Sequence, residues 1–232
     1  MKFSLWLLLT GLLCLLGPHL SAEDVSDPWE GMNRKVYAFN TKADNLLLKP
    51  VAKAYKKVLP SPIQVGISNF FSNFGYPIVV VNQFLQGKGK KGLADTGRFL
   101  VNTTLGIGGL FDPATGMGLT EHNESFSQTF GRWGIASGPY LVLPFWGAST
   151  VRGGAGALGD VFAHPMRYIV TSDPLLYGLT GTNLLNKRAE LLDLESFLLG
   201  DKYIFLKDAY LQREEFLIND GEVDDPFADD DF

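Results

Sequence analysis

Apolar residues recur at three- and four-residue intervals along much of the chain, which is the period of an amphipathic helix. The first such segment follows Asp27-Pro28-Trp29-Glu30. Asp at the cap, Pro at the first helical position and Glu at the third form a capping box. The apolar positions run from Trp29 to Leu47, and Lys49-Pro50 ends the pattern. We therefore predict an amphipathic helix of about five turns.

Two more helices are predicted before the middle of the chain. Ser61-Pro62-Ile63-Gln64 again places a cap, Pro and Gln in register, and Phe70, Phe71 and Phe74 lie on the apolar stripe that follows. Small uncharged residues, Ser and Asn, surround this stripe instead of Lys and Glu. The third helix extends from about Leu93 to Leu105, before a glycine-rich segment.

The middle of the chain is less regular. Residues 138–147 (GPYLVLPFWG) contain two prolines, so we predict an extended connector there. Gly153, Gly154, Gly156 and Gly159 follow, and each weakens a helix by about 1 kcal/mol. These glycines have two interpretations: tight helix packing, or a hinge in a loop beside a passage.

The C-terminal part is strongly helical in pattern. Residues 191–200 (LLDLESFLLG) and 208–220 (DAYLQREEFLIND) have helical spacing, and Gly221 is a stop signal. Few segments alternate as strands do, and no internal repeat is present. The pattern predicts an all-α fold with a single domain over residues 23–219.

The N-terminal residues resemble a secretory signal peptide. A basic residue precedes the apolar run Phe3–Leu16, which is shorter than the about 20 residues that span a bilayer. A small-residue cleavage site then predicts a signal peptide over residues 1–22, with cleavage between Ala22 and Glu23. The single cysteine, Cys14, follows two leucines instead of the small residues of a lipoprotein signal. Lipidation of Cys14 is therefore the minor interpretation.

Charge is concentrated at one end of the chain. From Asp220 onward there are seven acidic residues and no basic one, so residues 220–232 are predicted to be an acidic disordered tail. The remaining body is nearly neutral and gives no reason to expect nucleic-acid binding.

Composition bears on the surroundings of the protein. Of all residues, 46% are hydrophobic and only 19% are charged. Helices broken by Gly and Pro cannot easily bury that much apolar surface, and placement in one membrane leaflet would accommodate it. A phenylalanine-rich soluble core is the alternative. No run after the signal is long enough to cross a membrane.

Motifs for catalysis or cofactor binding are weak. Gly87–Gly92 matches the dinucleotide pattern GxGxxG, with Asp112 twenty residues further on. The strand-helix alternation of a Rossmann domain is missing, so a basic exposed loop is the favoured interpretation. Only His122 and His164 follow the signal, with no cysteine and no GxSxG or HExxH motif. We expect no enzyme activity, no cofactor and no metal site.

Several separated stretches identify a family resemblance. Together they extend over nearly the whole chain after the signal, and they resemble the MlaA (VacJ) family, in the family's order. One departure is that Cys14 lacks the cleavage box typical of the family's lipoproteins. The matching stretches are DPWEGMNRKVYAFN (27–40), NFFSNFGYPIVVVNQFLQGK (69–88), DTGRFLVNTTLGIGGLFDPATGMGL (95–119), FGRWGIASGPYLVLPFWGASTVR (130–152) and DAYLQREEFLINDG (208–221).

The resemblance implies a ring-like helical domain in the inner, periplasmic leaflet of a Gram-negative outer membrane, beside trimeric porins. It implies retrograde, non-enzymatic transport through an amphipathic passage. Mislocalised phospholipid would pass from the outer leaflet to a soluble periplasmic carrier and then to an inner-membrane ABC transporter complex. The alternatives are a structural porin-associated adaptor, and a periplasmic phospholipase, for which no nucleophile or metal centre is found. Our candidates for the lipid path are Phe70, Phe71, Phe74 and Trp146, and those for a flexible loop beside it are Gly153, Gly154 and Gly156.

Overall fold

The computed structural model of the protein describes residues 26–197 and 200–222. The predicted signal peptide, its cleavage site, Cys14 and most of the acidic tail lie outside these residues. Over the described residues the chain is helical with one short β-hairpin, which confirms the all-α prediction. The helices are α1 (Glu30–Ala43), α2 (Lys49–Val58), α3 (Ser61–Leu85), α4 (Gly89–Thr104), α5 (Pro113–Gly116), α6 (Phe126–Arg132), α7 (Val151–Ala163), α8 (Met166–Ile169), α9 (Asp173–Glu190) and α10 (Lys202–Ile218).

The first helix does not end at Lys49-Pro50 as the sequence pattern predicts. A π-helical turn, Asp44–Leu48, joins α1 directly to α2, and the Lys49 N–H donates to the Asp44 carbonyl across five residues. Pro50 then lies in the first turn of α2. The π-helical turn continues the helix past this proline, which has no N–H to donate to the preceding turn.

The predicted helix starts are correct to within a few residues, but the predicted caps are wrong. The side chain of Asp27 caps nothing; it accepts hydrogen bonds from Asn33 Nδ2 at 2.8 Å and from the Tyr203 hydroxyl. Ser61 is the first residue of α3, and no side chain caps that helix. Gln64 instead donates to the Leu59 carbonyl at 2.6 Å. These polar side chains therefore form other hydrogen bonds instead of capping the helices.

The GxGxxG segment forms a turn and the start of α4, with no strand before it. Its basic residues are not all exposed. The Lys88 side chain is only 7% exposed and pairs with Glu124 at 3.0 Å and with Asp220 at 2.6 Å. The prediction of an exposed basic loop is therefore wrong at Lys88, because two carboxylates make its burial possible.

The extended connector predicted at residues 138–147 contains the first strand of a hairpin. Strand β1 (Tyr140–Leu143) pairs antiparallel with β2 (Gly147–Thr150), with Tyr140 opposite Thr150. Gly147 has φ +91, a conformation that favours glycine at the turn. A buried apolar cluster joins this hairpin to α10, consisting of Tyr140, Val142, Tyr203 and Leu211.

The predicted flexible-loop glycines lie in a helix, so the loop prediction needs correction. Gly153, Gly154 and Gly156 are all inside α7. A Cβ atom at Gly156 would lie 2.3 Å from the Ser127 backbone nitrogen in α6. A Cβ atom at Gly153 would lie 2.2 Å from the hydroxyl of Tyr210 in α10. Close packing of three helices therefore outweighs the low helix propensity of glycine.

The C-terminal helix ends where the sequence predicts. Gly221 has φ +89, and its N–H donates to the Phe216 carbonyl at 2.8 Å, which closes the end of α10. Before it, where a helix is predicted over residues 191–200, the described part contains a short 3₁₀ helix, Asp193–Phe197.

Candidate functional site

A cavity of about 600 Å³ lies between α3, α7, α9 and the segment before α6, and we call it the polar cavity. Its volume is in the ordinary range for sites that hold small molecules. Polar and apolar side chains both line it. The lining residues are Ser68, Phe71, Ser72, Gly75, Tyr76, Ile78, Val79, Glu121, His122, Asn123, Glu124, Ser125, Asp160, His164, Asn183, Asn186, Lys187 and Glu190.

Helix α3 forms one wall, and it brings together three of the four lipid-path candidates. Phe71 lines the polar cavity itself. The Phe70 ring packs edge-on against Phe71, with 5.3 Å between centroids. The Phe74 ring stacks on His164 across the cavity wall, with 6.3 Å between centroids and 10° between planes. These aromatic rings give the wall an apolar surface.

The fourth candidate, Trp146, lies elsewhere. It is in the hairpin turn, 63% exposed, and is not among the residues that line the polar cavity. Its neighbour Phe145 is 76% exposed, and the Phe145 ring contacts Phe39 at 5.3 Å between centroids. The hairpin tip therefore presents aromatic surface outward, which is typical of residues at a membrane or protein interface.

Hydroxyl groups on α3 connect its wall to charged residues. Ser68 donates to Glu190 at 2.8 Å, and Ser72 donates to Glu121 at 2.6 Å. The two serines beside the aromatic stripe therefore face carboxylates at the polar cavity. One helix carries both an apolar ring system and a set of hydrogen-bonding groups into the same space.

The opposite wall contains charges on α7 and α9. Burial raises the pKa of Asp160 to about 6, although the Phe126 N–H donates to its carboxylate at 3.1 Å and lowers the pKa. Burial, and then the nearby charge of Lys187, lower the pKa of His164. His164 is therefore held neutral more strongly than a free imidazole.

A buried polar network fixes the third wall. Asp95, which is fully buried, accepts hydrogen bonds from the Tyr76 hydroxyl and from Gln83, both at 2.9 Å. Its carboxylate also lies 2.8 Å from His122 Nδ1. Nearby, Glu124 binds Lys88 at 3.0 Å and Gln86 at 2.8 Å. These contacts fix the segment before α6 against the α3–α4 pair.

Sequence analysis did not identify this network. A detectable signal was present, because uncharged polar residues recur on α3 within an otherwise apolar pattern. Tyr76 and Gln83 are seven residues apart, which places them on one side of the helix.

Arg98 binds the residues that lead into the segment before α6. Its guanidinium donates to Asp112 and to the Leu119 carbonyl, each at 2.6 Å, and to Thr115 at 2.9 Å. Burial alone would raise the pKa of Asp112, but hydrogen bonds from Thr115, Asn102 and Arg98 lower it to about 2. Asp112, which matched the acid of the dinucleotide pattern, therefore serves as an ion-pair partner.

Polarity is inverted over the described residues. Buried polar or charged residues number sixteen and buried hydrophobic residues eleven, whereas thirty-five large hydrophobic residues are exposed. A water-soluble domain normally buries its apolar side chains and hydrates its polar ones. Among its described residues, this protein instead buries more polar than hydrophobic residues and leaves many large apolar side chains exposed.

Two kinds of feature are missing from the part of the chain that the structure describes. No helix in that part is long and apolar enough to cross a membrane. No group of three or more His, Cys, Asp or Glu side chains in that part could hold a metal ion.

Comparison with known proteins identifies the family. The sequence profile of the family described as MlaA lipoprotein matches residues 25–217, nearly the whole described chain. The chain belongs to the MlaA lipoprotein family. Its MlaA-family assignment agrees with the resemblance found in the separated sequence blocks.

Relatives of known name support the same assignment. One from Escherichia coli strain K12, the intermembrane phospholipid transport system lipoprotein MlaA, is 37% identical over 96% of this chain and 92% of its own. The protein of the same name from Haemophilus influenzae is 31% identical over 85% of this chain and 81% of its own.

A solved structure also matches the MlaA-family fold seen here. It was determined in work on the structural basis for maintenance of bacterial outer membrane lipid asymmetry. The TM-score is 0.74 and the identity 36%, over 84% of this chain and 100% of the other.

Proposed function

We propose that this protein carries phospholipid headgroups through the polar cavity and is held in the inner leaflet of the outer membrane by its exposed apolar side chains. It moves mislocalised phospholipid in the retrograde direction, from the outer leaflet to a soluble periplasmic lipid carrier that supplies an inner-membrane ABC transporter complex. The inverted polarity is the observation that carries this proposal. An exposed apolar surface is stable in a leaflet, and a polar interior can hydrate a headgroup.

The energetics of moving a phospholipid require both the apolar surface and the polar interior. Two acyl chains together contain about 30 methylene groups, and exposing them to water costs about 25 kcal/mol at about 0.8 kcal/mol each. The tails must therefore stay on apolar surface while the headgroup moves. Helix α7 provides both: Asp160 lines the polar cavity, while Leu158 and Phe162 are exposed. A lipid beside α7 can keep its tails outside and its headgroup inside.

The path residues follow from the same geometry. Phe71 lines the cavity, Phe70 packs against its ring, and Phe74 packs against Phe70 and His164, so we assign these three to the path. Trp146 fits a different role, because the exposed hairpin tip suits contact with lipid headgroups or with a trimeric porin. No covalent step is needed for this transport, since a lipid moves without a bond being made or broken.

We also propose that the signal peptide is cleaved after Ala22 and that Cys14 is not lipidated. The named relatives are described as lipoproteins, so this chain would depend on its own apolar surface for anchoring. Mass spectrometry of the mature protein separates the two possibilities. A chain beginning at Glu23 supports the proposal, and a diacylglycerol-modified Cys14 overturns it.

Filling the cavity tests the transport proposal. Gly75 lines the polar cavity, and a Cβ atom there would lie 3.6 Å from His164 Nε2. Gly31 in α1 is the matched control, because a Cβ atom there meets nothing within 4 Å. The assay reconstitutes each variant in vesicles that contain fluorescent phospholipid and measures transfer to a periplasmic lipid carrier. We expect Gly75→Phe to abolish transfer and Gly31→Phe to retain it.

The same assay separates the alternatives. If Gly75→Phe transfers lipid as the unsubstituted protein does, at unchanged folding measured by circular dichroism, the polar cavity is not the path. Release of lysophospholipid or free fatty acid would indicate a phospholipase. Normal lipid asymmetry after deletion of the gene, together with altered porin levels, would indicate a structural adaptor. Ser72→Phe, on the same wall, serves as a second filling variant if Gly75→Phe does not fold.

A further inference from the structure

The lining of the polar cavity favours one headgroup chemistry, an inference that rests on the proposed function. The charged groups of α7 and α9 provide it. Asp160 and Glu190 contribute carboxylates, and Lys187 contributes an ammonium, all lining one cavity. Both signs of charge are therefore available to a single headgroup.

The other acidic residues of the lining are paired within the protein, so these three groups are the charges available to a ligand. Glu124 is paired with the buried Lys88 at 3.0 Å. Glu121 accepts from Ser72 and lies 3.6 Å from Arg98. Their charges are compensated by protein cations and contribute less to a ligand.

Lys187 is the available cation. It forms no ion pair with any carboxylate of the described residues, and it is close enough to His164 to lower the pKa of that imidazole. An ammonium group donates three hydrogen bonds and is a frequent partner of phosphate oxygens. Lys187 is therefore suited to hold the phosphate of a phospholipid.

The acceptors on the same walls have unused capacity. Asp160 accepts one hydrogen bond, from the Phe126 N–H at 3.1 Å. Glu190 accepts two on one carboxylate oxygen, from Ser68 and Asn186, each at 2.8 Å. A carboxylate has about four acceptor positions, so both can accept more.

The cavity thus offers the carboxylates of Asp160 and Glu190 to the N–H groups of a ligand. Asn183 is also among the lining residues, but its side-chain oxygen, which accepts no hydrogen bond from the described residues, is buried within the wall.

We propose that the polar cavity selects zwitterionic phospholipids whose headgroup contains a primary ammonium, with Lys187 holding the phosphate and Asp160 and Glu190 holding the ammonium. A primary ammonium has three N–H donors for these acceptors, whereas a quaternary choline has none. A phosphatidylglycerol headgroup has the phosphate charge but no cation to face the two carboxylates. Phosphatidylethanolamine meets both requirements.

The experiment measures which lipid the protein retains. The full chain is purified from vesicles of equal phosphatidylethanolamine, phosphatidylglycerol and phosphatidylcholine content, and bound lipids are quantified by mass spectrometry. One charge-assisted hydrogen bond corresponds to about a tenfold change in equilibrium, so we expect about tenfold enrichment of phosphatidylethanolamine over each competitor.

Two substitutions test the roles of Asp160 and Lys187 separately. Asp160→Asn keeps an oxygen to accept the Phe126 N–H, and we expect it to reduce the enrichment over phosphatidylcholine. Lys187→Gln should weaken retention of all three lipids. Lys57→Gln, an exposed lysine of α2 outside the cavity, should change nothing. Glu190→Gln replaces Asp160→Asn if that variant is unstable.

The outcomes separate this inference from the proposed function. Bound lipid that mirrors the vesicle composition, or enrichment of phosphatidylglycerol, overturns the headgroup assignment and leaves transport intact. Enrichment that survives both Asp160→Asn and Glu190→Gln overturns the assignment of these residues. A protein that retains no phospholipid at all overturns both the inference and the proposed function.

Discussion

Replacing the glycines of α7 one at a time distinguishes close packing from a hinge. Gly156 and Gly154 lie in the same helix, two residues apart, but their surroundings differ. A Cβ atom at Gly156 would lie 2.3 Å from the Ser127 backbone nitrogen and 2.5 Å from its Cα atom. A Cβ atom at Gly154 would lie 3.7 Å from its nearest neighbour, Leu143 Cδ1, an ordinary contact.

These distances predict opposite changes in the free energy of unfolding for the two substitutions. Alanine in place of helical glycine stabilises by about 1 kcal/mol at either position. At Gly156 the backbone of α6 must also move by about 1 Å, and such overpacking costs about 3 kcal/mol when neighbouring atoms cannot rotate away. We expect Gly156→Ala to lower the free energy of unfolding by about 2 kcal/mol and Gly154→Ala to raise it by about 1 kcal/mol.

Thermal unfolding in detergent, followed by circular dichroism, measures both variants. For a domain of this size, 1 kcal/mol shifts the Tm by about 3 °C. Gly156→Ala should therefore melt about 6 °C below the unsubstituted protein, and Gly154→Ala about 3 °C above it, with lipid transfer retained. Equal melting temperatures for the two variants, combined with equal loss of transfer, would refute the packing interpretation and favour a hinge.

Three other predictions follow from buried polar groups. Arg98→Leu leaves Asp112 without its cation, so denaturant unfolding should show a loss of about 3 to 5 kcal/mol. Because burial raises the pKa of Asp160 from 3.8 to about 6, the folded state binds more protons between these values and stability falls as pH rises through this window. Asp160→Asn should remove this dependence, which amounts to roughly 1 to 2 kcal/mol after allowing for partial solvent screening. A pH series of thermal melts would contradict this prediction if the Tm of both proteins fell equally as pH rises. Asn33→Ala removes the side-chain acceptor of the Val142 N–H at 2.9 Å, so this amide should lose hydrogen-exchange protection and stability should fall by about 3 kcal/mol, whereas unchanged exchange would show that the bond is not needed.

Local patterns in the sequence predicted most of the helices, because spacing and breaker residues act within one segment. The start of α3 near Ser61 and the end of α10 before Gly221 are correct for this reason. Pro50 shows the limit of the method. Its position predicts a helix end, but a π-helical turn lets the helix continue to Val58.

Long-range contacts decided the features that the sequence did not predict. Helix propensity disfavours a helix at α7. The close approach of α6 and α10 explains why glycines occupy this helix. The hairpin was predicted as extended chain, but its pairing depends on a turn at Gly147. The polar cavity brings together residues from Ser68 to Glu190, and no spacing rule connects them. The aromatic rings of α3 contact one another, whereas Trp146 lies apart from them.

Site-specific photocrosslinking in living cells tests the central claim most directly. A photoreactive amino acid is placed at Ser72, in the polar cavity, or at Leu158, on the exposed side of α7. Mass spectrometry then identifies what is attached. We expect phospholipid adducts at both positions, because headgroups pass through the cavity while tails lie outside. Adducts at Leu158 with none at Ser72 would contradict the account, because lipid would then contact only the outside of the protein.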